Sequence, residues 1–274
     1  MKKLMLFFLL IGTLGTFQSC EKDEIAKDDF EVLGAPDLPS LEIFDLSLKQ
    51  FGGADDKGAQ PKSGNMTRWH WLHAGVNILV WNTVVVVNLA TPVAALGAAF
   101  NEEAEYLGQG VYEWRYQFEG DDELLQIVLT GAYTSTEDEI AWKMSISQVD
   151  GASEFVWLTG LSTPLESEYT LYHQIENPEP YLLITHKKDA NNEEAESTRF
   201  TNVIPGHEDN GNYIEYRIQP DALYNRGYDV YQSAENFLEI ELNEPAGDGR
   251  VRHQSHYGDN DWRCWDEEKK DVEC

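Results

Sequence analysis

The clearest pattern in the chain is an alternation of apolar and polar residues that begins at Val111 and recurs to the C-terminus. In its first segment Tyr112, Trp114, Tyr116 and Phe118 alternate with polar residues. This period of two is typical of strands that bury one face. Similar segments follow at 125–133, 140–147, 155–159, 169–175, 181–186, 199–204, 213–218, 228–232, 237–242 and 250–253. With no helix between them, about 10–12 strands predict a large antiparallel up-and-down sheet.

A second pattern is a run of 33 residues without charge, from Trp69 to Asn101. Its length suits a membrane span, but its polar residues are costly in hydrocarbon. Thr91-Pro92 is typical of a helix start, with threonine as the cap and proline at the first helical position. We therefore predict helices at about 67–89 and 92–105 that form a buried hairpin, with a membrane or partner contact as alternatives.

The polar residues of this run have helical spacing. His70, His73, Asn77, Asn88 and Thr91 fall within a sector of about 60° on a helical wheel. The rest of the cylinder is apolar, so other parts of the chain must bury it. The sequence predicts a mostly β fold in which a curled sheet or half-barrel surrounds a long apolar helical hairpin, in a single domain at 66–274.

On that interpretation the valines at the centre of the run lie in the core. Replacement of Val84 or Val86 by arginine is then expected to unfold the domain, because a buried unpaired charge is costly.

The N-terminus has the features of an export signal. Lys2 and Lys3 precede an apolar stretch at 4–14 that is too short to span a bilayer. The stretch leads to Phe17-Gln18-Ser19-Cys20, which resembles the lipobox of bacterial lipoproteins. The resemblance implies that the signal peptide 1–19 is removed and that Cys20 is lipidated. Residues 20–40 then form an acidic flexible tether, and 41–65 a short element followed by a linker.

Several stretches support a family resemblance. They are Val80-Trp81-Asn82, Thr91-Pro92-Val93-Ala94-Ala95, Glu113-Trp114-Arg115-Tyr116, Phe155-Val156-Trp157-Leu158-Thr159-Gly160 and Asp261-Trp262-Arg263-Cys264-Trp265-Asp266. Over most of 38–274 the chain resembles a family of uncharacterised exported surface lipoproteins of the Bacteroidota. Lys22-Asp23-Glu24 also resembles the surface-export signal of such lipoproteins. The resemblance implies an outer-membrane lipoprotein, exposed at the cell surface, and implies no activity.

Charge and cysteine content agree with an exported protein. Removing 1–19 takes away Lys2 and Lys3, which leaves 18 basic and 49 acidic residues and a net charge of −31. Such a chain lacks the cations that bind nucleic acid or anionic lipid head groups. Its membrane contact is therefore expected through the lipid anchor. Cys264 and Cys274 remain as an even pair outside the cytoplasm, and we predict that they form a disulfide.

Candidate binding residues lie in the helical run and on the aromatic strands. His70 and His73 are spaced closely enough to share a metal beside Asn77, or are satisfied by hydrogen bonds inside the core, which we favour. His253-x-x-His256 precedes an acidic stretch, but its spacing matches no calcium loop, and we expect no metal. Large aromatics either fill a core, line an apolar cavity or form an outward platform for sugar rings. The aromatic candidates for ligand contact are Trp81, Trp114, Trp142 and Trp157.

The sequence contains no nucleophile elbow, phosphate-binding loop or zinc-protease motif, so we expect neither an enzyme nor a cofactor. The leading hypothesis is a non-catalytic surface lipoprotein that binds a hydrophobic or lipid-like ligand in a cavity between sheet and helices. The alternatives are a glycan-binding or adhesion module and a structural subunit of an envelope complex.

Overall fold

The computed structural model describes residues 33–46, 67–119, 124–136, 138–148, 154–173 and 178–274. The expected signal peptide, the expected lipidation site Cys20, the first part of the tether and residues 47–66 of the linker lie outside the described residues.

A single antiparallel sheet dominates the fold. Each strand pairs with the next one along the chain, from β1 to β14, and the sheet does not close. The strands are β1 (Glu105–Gly108), β2 (Val111–Glu119), β3 (Leu124–Tyr133), β4 (Ile140–Gln148), β5 (Phe155–Ser162), β6 (Glu166–His173), β7 (Glu179–Asp189), β8 (Asn192–Asn202), β9 (Tyr213–Ile218), β10 (Arg226–Ser233), β11 (Asn236–Leu242), β12 (Gly249–His253), β13 (Arg263–Trp265) and β14 (Asp271–Val272). The predicted fold class, a mostly β protein with a curled antiparallel sheet and helix, is confirmed.

The two faces of the sheet differ as the alternation predicts. On β9, Ile214 and Tyr216 point into the core, whereas Glu215 points outward and pairs with Arg199 on β8, with 2.7 Å between Nη2 and Oε2. Apolar side chains of the same kind line the inner face of strands β2 to β12. The inner face therefore forms one hydrophobic core, and the outer face carries cross-strand ion pairs.

One detail of the predicted fold is wrong. Instead of a hairpin broken at Thr91-Pro92, Trp69–Ala98 is one continuous helix, α1, followed by a 3-10 turn at Ala99–Asn101. A proline inside a helix removes one N–H and leaves the carbonyl four residues earlier, that of Asn88, without its helical donor. The Tyr181 hydroxyl on β7 donates to that Asn88 carbonyl at 3.0 Å. The sheet thus supplies the missing hydrogen bond, and the helix continues through Pro92.

Polar contacts hold α1 at both ends. At its start, the Asp271 carboxylate on β14 accepts hydrogen bonds from the backbone N–H groups of Trp69 and His70, both at 3.0 Å. An acceptor with negative charge is favourable at a helix N-terminus. Near its end, the Tyr116 hydroxyl on β2 donates to the Ala95 carbonyl at 2.7 Å. The helix therefore crosses the concave side of the sheet from its last strands to its first.

The segment 33–46 packs against the sheet. Pro36 and Pro39 are buried, and the 3-10 turn Leu41–Phe44 places the Phe44 ring 5.2 Å from that of Tyr169, between ring centroids. The tether predicted for 20–40 therefore differs from the structure in its last eight residues. The apolar side chains of this part gain burial by joining the core, which offsets the entropy of ordering the chain.

The alternation did not predict the first strand of the sheet or its last two. β1, β13 and β14 are two to four residues long, too short for a period of two to be recognised. The predicted disulfide is confirmed, because Cys264 on β13 and Cys274 pair with 5.1 Å between their Cα atoms. The bridge holds the chain on either side of β14, the strand that contributes Asp271 to the start of α1.

A second short helix, α2 (Gln254–Tyr257), follows β12 directly. It ends at Gly258, whose φ of 83° is the left-handed conformation common at helix C-termini. This turn places His256 and Tyr257 beside the start of α1, where both contact its side chains.

Candidate functional site

The outward face of α1 is an apolar surface that no described residue covers. Val87 is 73% exposed and Val80 is 59% exposed. We call this surface the exposed stripe; it also includes Thr83, whose hydroxyl donates to the Leu79 carbonyl at 3.0 Å, and its apolar residues are Trp69, Leu72, Val76, Leu79, Val80, Val84, Val86, Val87, Ala90 and Ala94. At 1.5 Å per residue it extends about 38 Å along one helix. It contains no charged side chain.

The opposite face of α1 packs on the core. Ala74, Ile78, Trp81, Val85 and Leu89 are all buried there. The expectation that the helix is buried on every side is therefore wrong, since Val84 and Val86 belong to the exposed stripe. The reason is geometric: an open sheet reaches only one side of a helix that lies across its concave face.

The helical segment Trp69–Asn101 is long enough and apolar enough to cross a membrane by length and composition. Of its most apolar 18-residue window, 33% is buried against the rest of the chain. The remainder forms an exposed apolar surface of a kind that soluble proteins seldom show without an interaction partner.

A second feature lies on the flank of α1, at its start. His70 and His73 meet His253 and His256, which follow them by about 180 residues. His73 Nε2 lies 2.9 Å from His253 Nδ1, and the His73 and His256 rings stack with 3.8 Å between centroids. We call these four residues the histidine cluster. The structure thus joins the two His-x-x-His motifs that the sequence presents separately.

The orientation of the Asn236 amide indicates the proton positions of His73 and His253. The Asn236 amide donates through Nδ2 to Gln232, so its Oδ1 is the acceptor that faces His253 Nε2 at 2.6 Å. His253 Nε2 therefore carries the proton, and its Nδ1 has the lone pair. His73 Nε2–H must then donate to His253 Nδ1. If both rings were protonated, two N–H groups would face each other and the bond would be lost.

Burial favours the neutral forms of His70, His73 and His253. Burial, followed by repulsion from His256 and His253, lowers the pKa of His73 to about 4. Burial also lowers the pKa values of His70 and His253, the latter with a further contribution from His256. Protonation of an imidazole costs more free energy when the ring is removed from water, and this cost is the main cause of each shift.

The histidine cluster stacks its rings and does not converge them on a point. Within the described ranges, no group of three His, Cys, Asp or Glu side chains is arranged to hold a metal ion. A further hydrogen bond of the cluster joins His70 Nδ1 to the Tyr257 hydroxyl at 3.2 Å. The arrangement ties the start of α1 to β12 and α2.

The other predicted site residues lie in structural positions. Asn77 donates from Nδ2 to the His73 carbonyl one turn earlier, at 2.8 Å. Trp81, Trp114 and Trp142 are buried in the core, and Trp157 packs against it partly buried. The burial of Trp81, Trp114 and Trp142 agrees with their interpretation as core residues. The structure brings His70 and His73 together with His253 and His256. The predicted tryptophans belong to the core or pack against it.

An open cavity of about 330 Å³ lies between the Leu41–Phe44 turn and strands β7 to β10. Charged side chains from both sides line it, among them Glu42, Lys188, Glu196, Arg226 and Glu244. Arg226 and Glu244 form an ion pair within its lining, with 2.8 Å between Nη2 and Oε2. Its walls suit water and small polar solutes rather than an apolar ligand.

Comparisons with protein-family models, with curated proteins and with solved structures found no match. The assignment of function therefore depends on the geometry of α1 and its surroundings.

Two features of this site were missing from the sequence interpretation. The exposed stripe was missed because both faces of α1 are apolar, so the pattern does not show which side meets the core. The histidine cluster was missed because it requires the pairing of α1 with β12. The repeated His-x-x-His spacing was the signal present in the sequence.

Proposed function

We propose that the protein is a non-catalytic lipoprotein, held at the outer membrane through Cys20 and exposed at the cell surface, that binds a hydrophobic or lipid-like ligand. The exposed stripe of α1 carries this proposal. It is a continuous uncharged surface about 38 Å long in a chain that otherwise has many acidic residues.

The binding surface differs in place from the cavity that the sequence analysis expected. Core side chains such as Ile78, Val85 and Leu129 fill the space between α1 and the sheet. The stripe, in contrast, is open to solvent. Burial of apolar area there stabilises a complex by about 25 cal/mol for each Å² removed from water.

The way α1 is held favours binding. Asp271, His253 and Tyr181 fix the helix to the sheet at its start and beyond its middle. A surface that is already ordered loses little conformational entropy when a ligand arrives. Its side chains are aliphatic apart from Trp69 and Thr83, and the Thr83 hydroxyl is bonded to the helix backbone, so the stripe offers no group for proton transfer or nucleophilic attack. These properties support a binding role.

The test uses the mature chain with Cys20→Ser, so that no acyl group is attached, and a fluorescent fatty acid as the probe. We expect saturable binding that the double variant Val80→Asp, Val87→Asp abolishes. The matched control is Leu223→Asp, since Leu223 is 75% exposed and lies outside the stripe. Equal binding by the stripe variant and the wild type would overturn the proposal.

A second candidate function is glycan binding on the outer face of the sheet. A row of aromatic rings favours it: Tyr213 and Tyr231 stack with 5.2 Å between centroids, and Phe237 follows at 6.4 Å. Carboxylates lie in the next cross-strand row, including Glu215 and Glu239. A glycan array tests this candidate, with Tyr231→Ala as the variant expected to lose any signal.

A further inference from the structure

We propose that the ligand of the exposed stripe is the surface of the lipid bilayer that carries the Cys20 anchor, with α1 lying in the plane of the interface. This inference rests on the proposed function and deepens it by naming the partner.

The shape of the stripe fits a flat partner. Its residues follow one side of a single helix, from Trp69 to Ala94, and the fixed ends keep that helix in place over its length. Interfacial helices bury such a face about 5–10 Å into the boundary between headgroups and acyl chains. Trp69, 58% exposed at the start of the stripe, is an aromatic residue of the type enriched at this boundary.

The chain outside the described residues keeps a bilayer within reach. Thirteen residue steps separate Cys20 from Leu33, the first described residue. At about 3.3–3.6 Å per residue they span about 45 Å at most, whatever their conformation. That is about the length of α1 itself.

The described N-terminal segment also contacts α1. Leu41 lies against Gly97, since a Cβ added to this glycine would be 3.4 Å from Leu41 Cδ1. The anchor therefore delivers the domain to the bilayer close to α1. A contact that would be weak between free molecules becomes strong when a tether raises the effective concentration of the partner.

Charge selects the kind of partner. The mature chain has a net charge of −31, whereas the stripe is uncharged between Arg68 and Glu102. A second copy of the chain would bring the same large negative charge to the contact, and repulsion would oppose it. A bilayer of neutral, zwitterionic lipids brings none. We therefore expect binding to neutral lipid that anionic lipid weakens and added salt partly restores.

The experiment is flotation of the mature chain with Cys20→Ser on phosphatidylcholine vesicles, with and without phosphatidylglycerol. We expect the wild type to float with neutral vesicles. Val80→Asp, Val87→Asp should bind about a hundredfold more weakly, since each lost valine contact is worth about tenfold. The control Leu223→Asp should float like the wild type. Thermal melting of each variant, compared with the wild type, shows that it is folded.

A second readout locates the contact. Doxyl-labelled phosphatidylcholine should quench Trp69 fluorescence, measured as the difference between the wild type and Trp69→Phe. The lack of that difference would overturn the proposed orientation, even if vesicles bind.

The outcomes separate the two proposals. Binding of the fluorescent fatty acid without flotation would overturn the bilayer inference and leave the proposed function standing. Failure of both would overturn both. Stripe-dependent dimers without vesicle binding, measured by analytical ultracentrifugation, would also overturn the inference in favour of a second copy as the partner. Equal loss of flotation in Leu223→Asp would do so as well, because the stripe would then have no special role.

Discussion

The two faces of α1 have nearly the same chemistry and opposite environments. Within the run Val84–Val87, Val85 is 2% exposed and Val87 is 73% exposed. Hydrophobicity does not distinguish them. The polar contacts do, because Asp271, His253 and Tyr181 hold the helix in one rotation about its axis. A few directional hydrogen bonds thus decide which of two apolar faces becomes core and which stays open.

The largest effect should come from placing one charge on each face. Ile78→Asp puts a carboxylate at a position that is 0% exposed, and we expect a loss of at least about 4 kcal/mol in the free energy of unfolding. Val80→Asp, two residues away, is the matched control. It should change stability by about 0.5 kcal/mol or less. Urea denaturation of both variants measures the difference.

Equal destabilisation by Ile78→Asp and Val80→Asp would contradict the two-faced description of α1. It would mean that the face assigned to solvent is packed in the native protein.

The histidine cluster lies on the flank of α1, between its two faces, and should make the stability of the fold depend on pH. The folded pKa of His73 is about 4, whereas its unfolded value is about 6.5. The unfolded chain therefore binds more protons between these values, so stability falls as the pH falls from about 6.5 to 4. After allowance for solvent screening we expect His73 to contribute about 1–2 kcal/mol to this loss.

The measurement is the free energy of unfolding at pH 7 and at pH 4.5 for the wild type and for His73→Gln. The variant should lose less stability than the wild type over this interval. The control is His207→Gln, a change at an exposed histidine. Carboxylates titrate in the same pH range in all three proteins, so only the difference between the two variants is assigned to His73. An unchanged pH slope in His73→Gln would contradict the assignment of a neutral, buried His73.

The smallest effect should come from the hydrogen bond that allows α1 to pass through Pro92. Tyr181→Phe removes the donor to the Asn88 carbonyl, which we expect to cost about 1 kcal/mol. In a Pro92→Ala background the helix supplies its own N–H to that carbonyl, so the same change should cost less. A double-mutant cycle by urea denaturation measures the coupling. Additive effects would show that the tyrosine does not compensate for the proline.

Much of the fold could be predicted from the sequence, and the reasons are local. Strands such as β2 and β9 bury one face, so their alternation is visible in a few residues. The disulfide followed from the number of cysteines. The continuous helix could not be predicted, because Thr91-Pro92 is a good local start signal and its override comes from Tyr181 on β7.

The candidate site was harder to predict from the sequence, because it also depends on contacts between distant parts of the chain. His70 and His73 were identifiable as a pair, but their partners are about 180 residues away and meet them only in the folded sheet. The exposed stripe depends on which side of α1 faces an open sheet. A helix that is apolar all round contains no periodic signal for that choice.

The most direct test of the exposed stripe compares the reaction rates of single cysteines with a polar maleimide, in the mature chain with Cys20→Ser and without vesicles. We predict that Val87→Cys reacts at the rate of an exposed thiol, whereas Val85→Cys is protected by the core. Protection of both thiols in the folded monomer would contradict the account, because the outward face of α1 would then be covered.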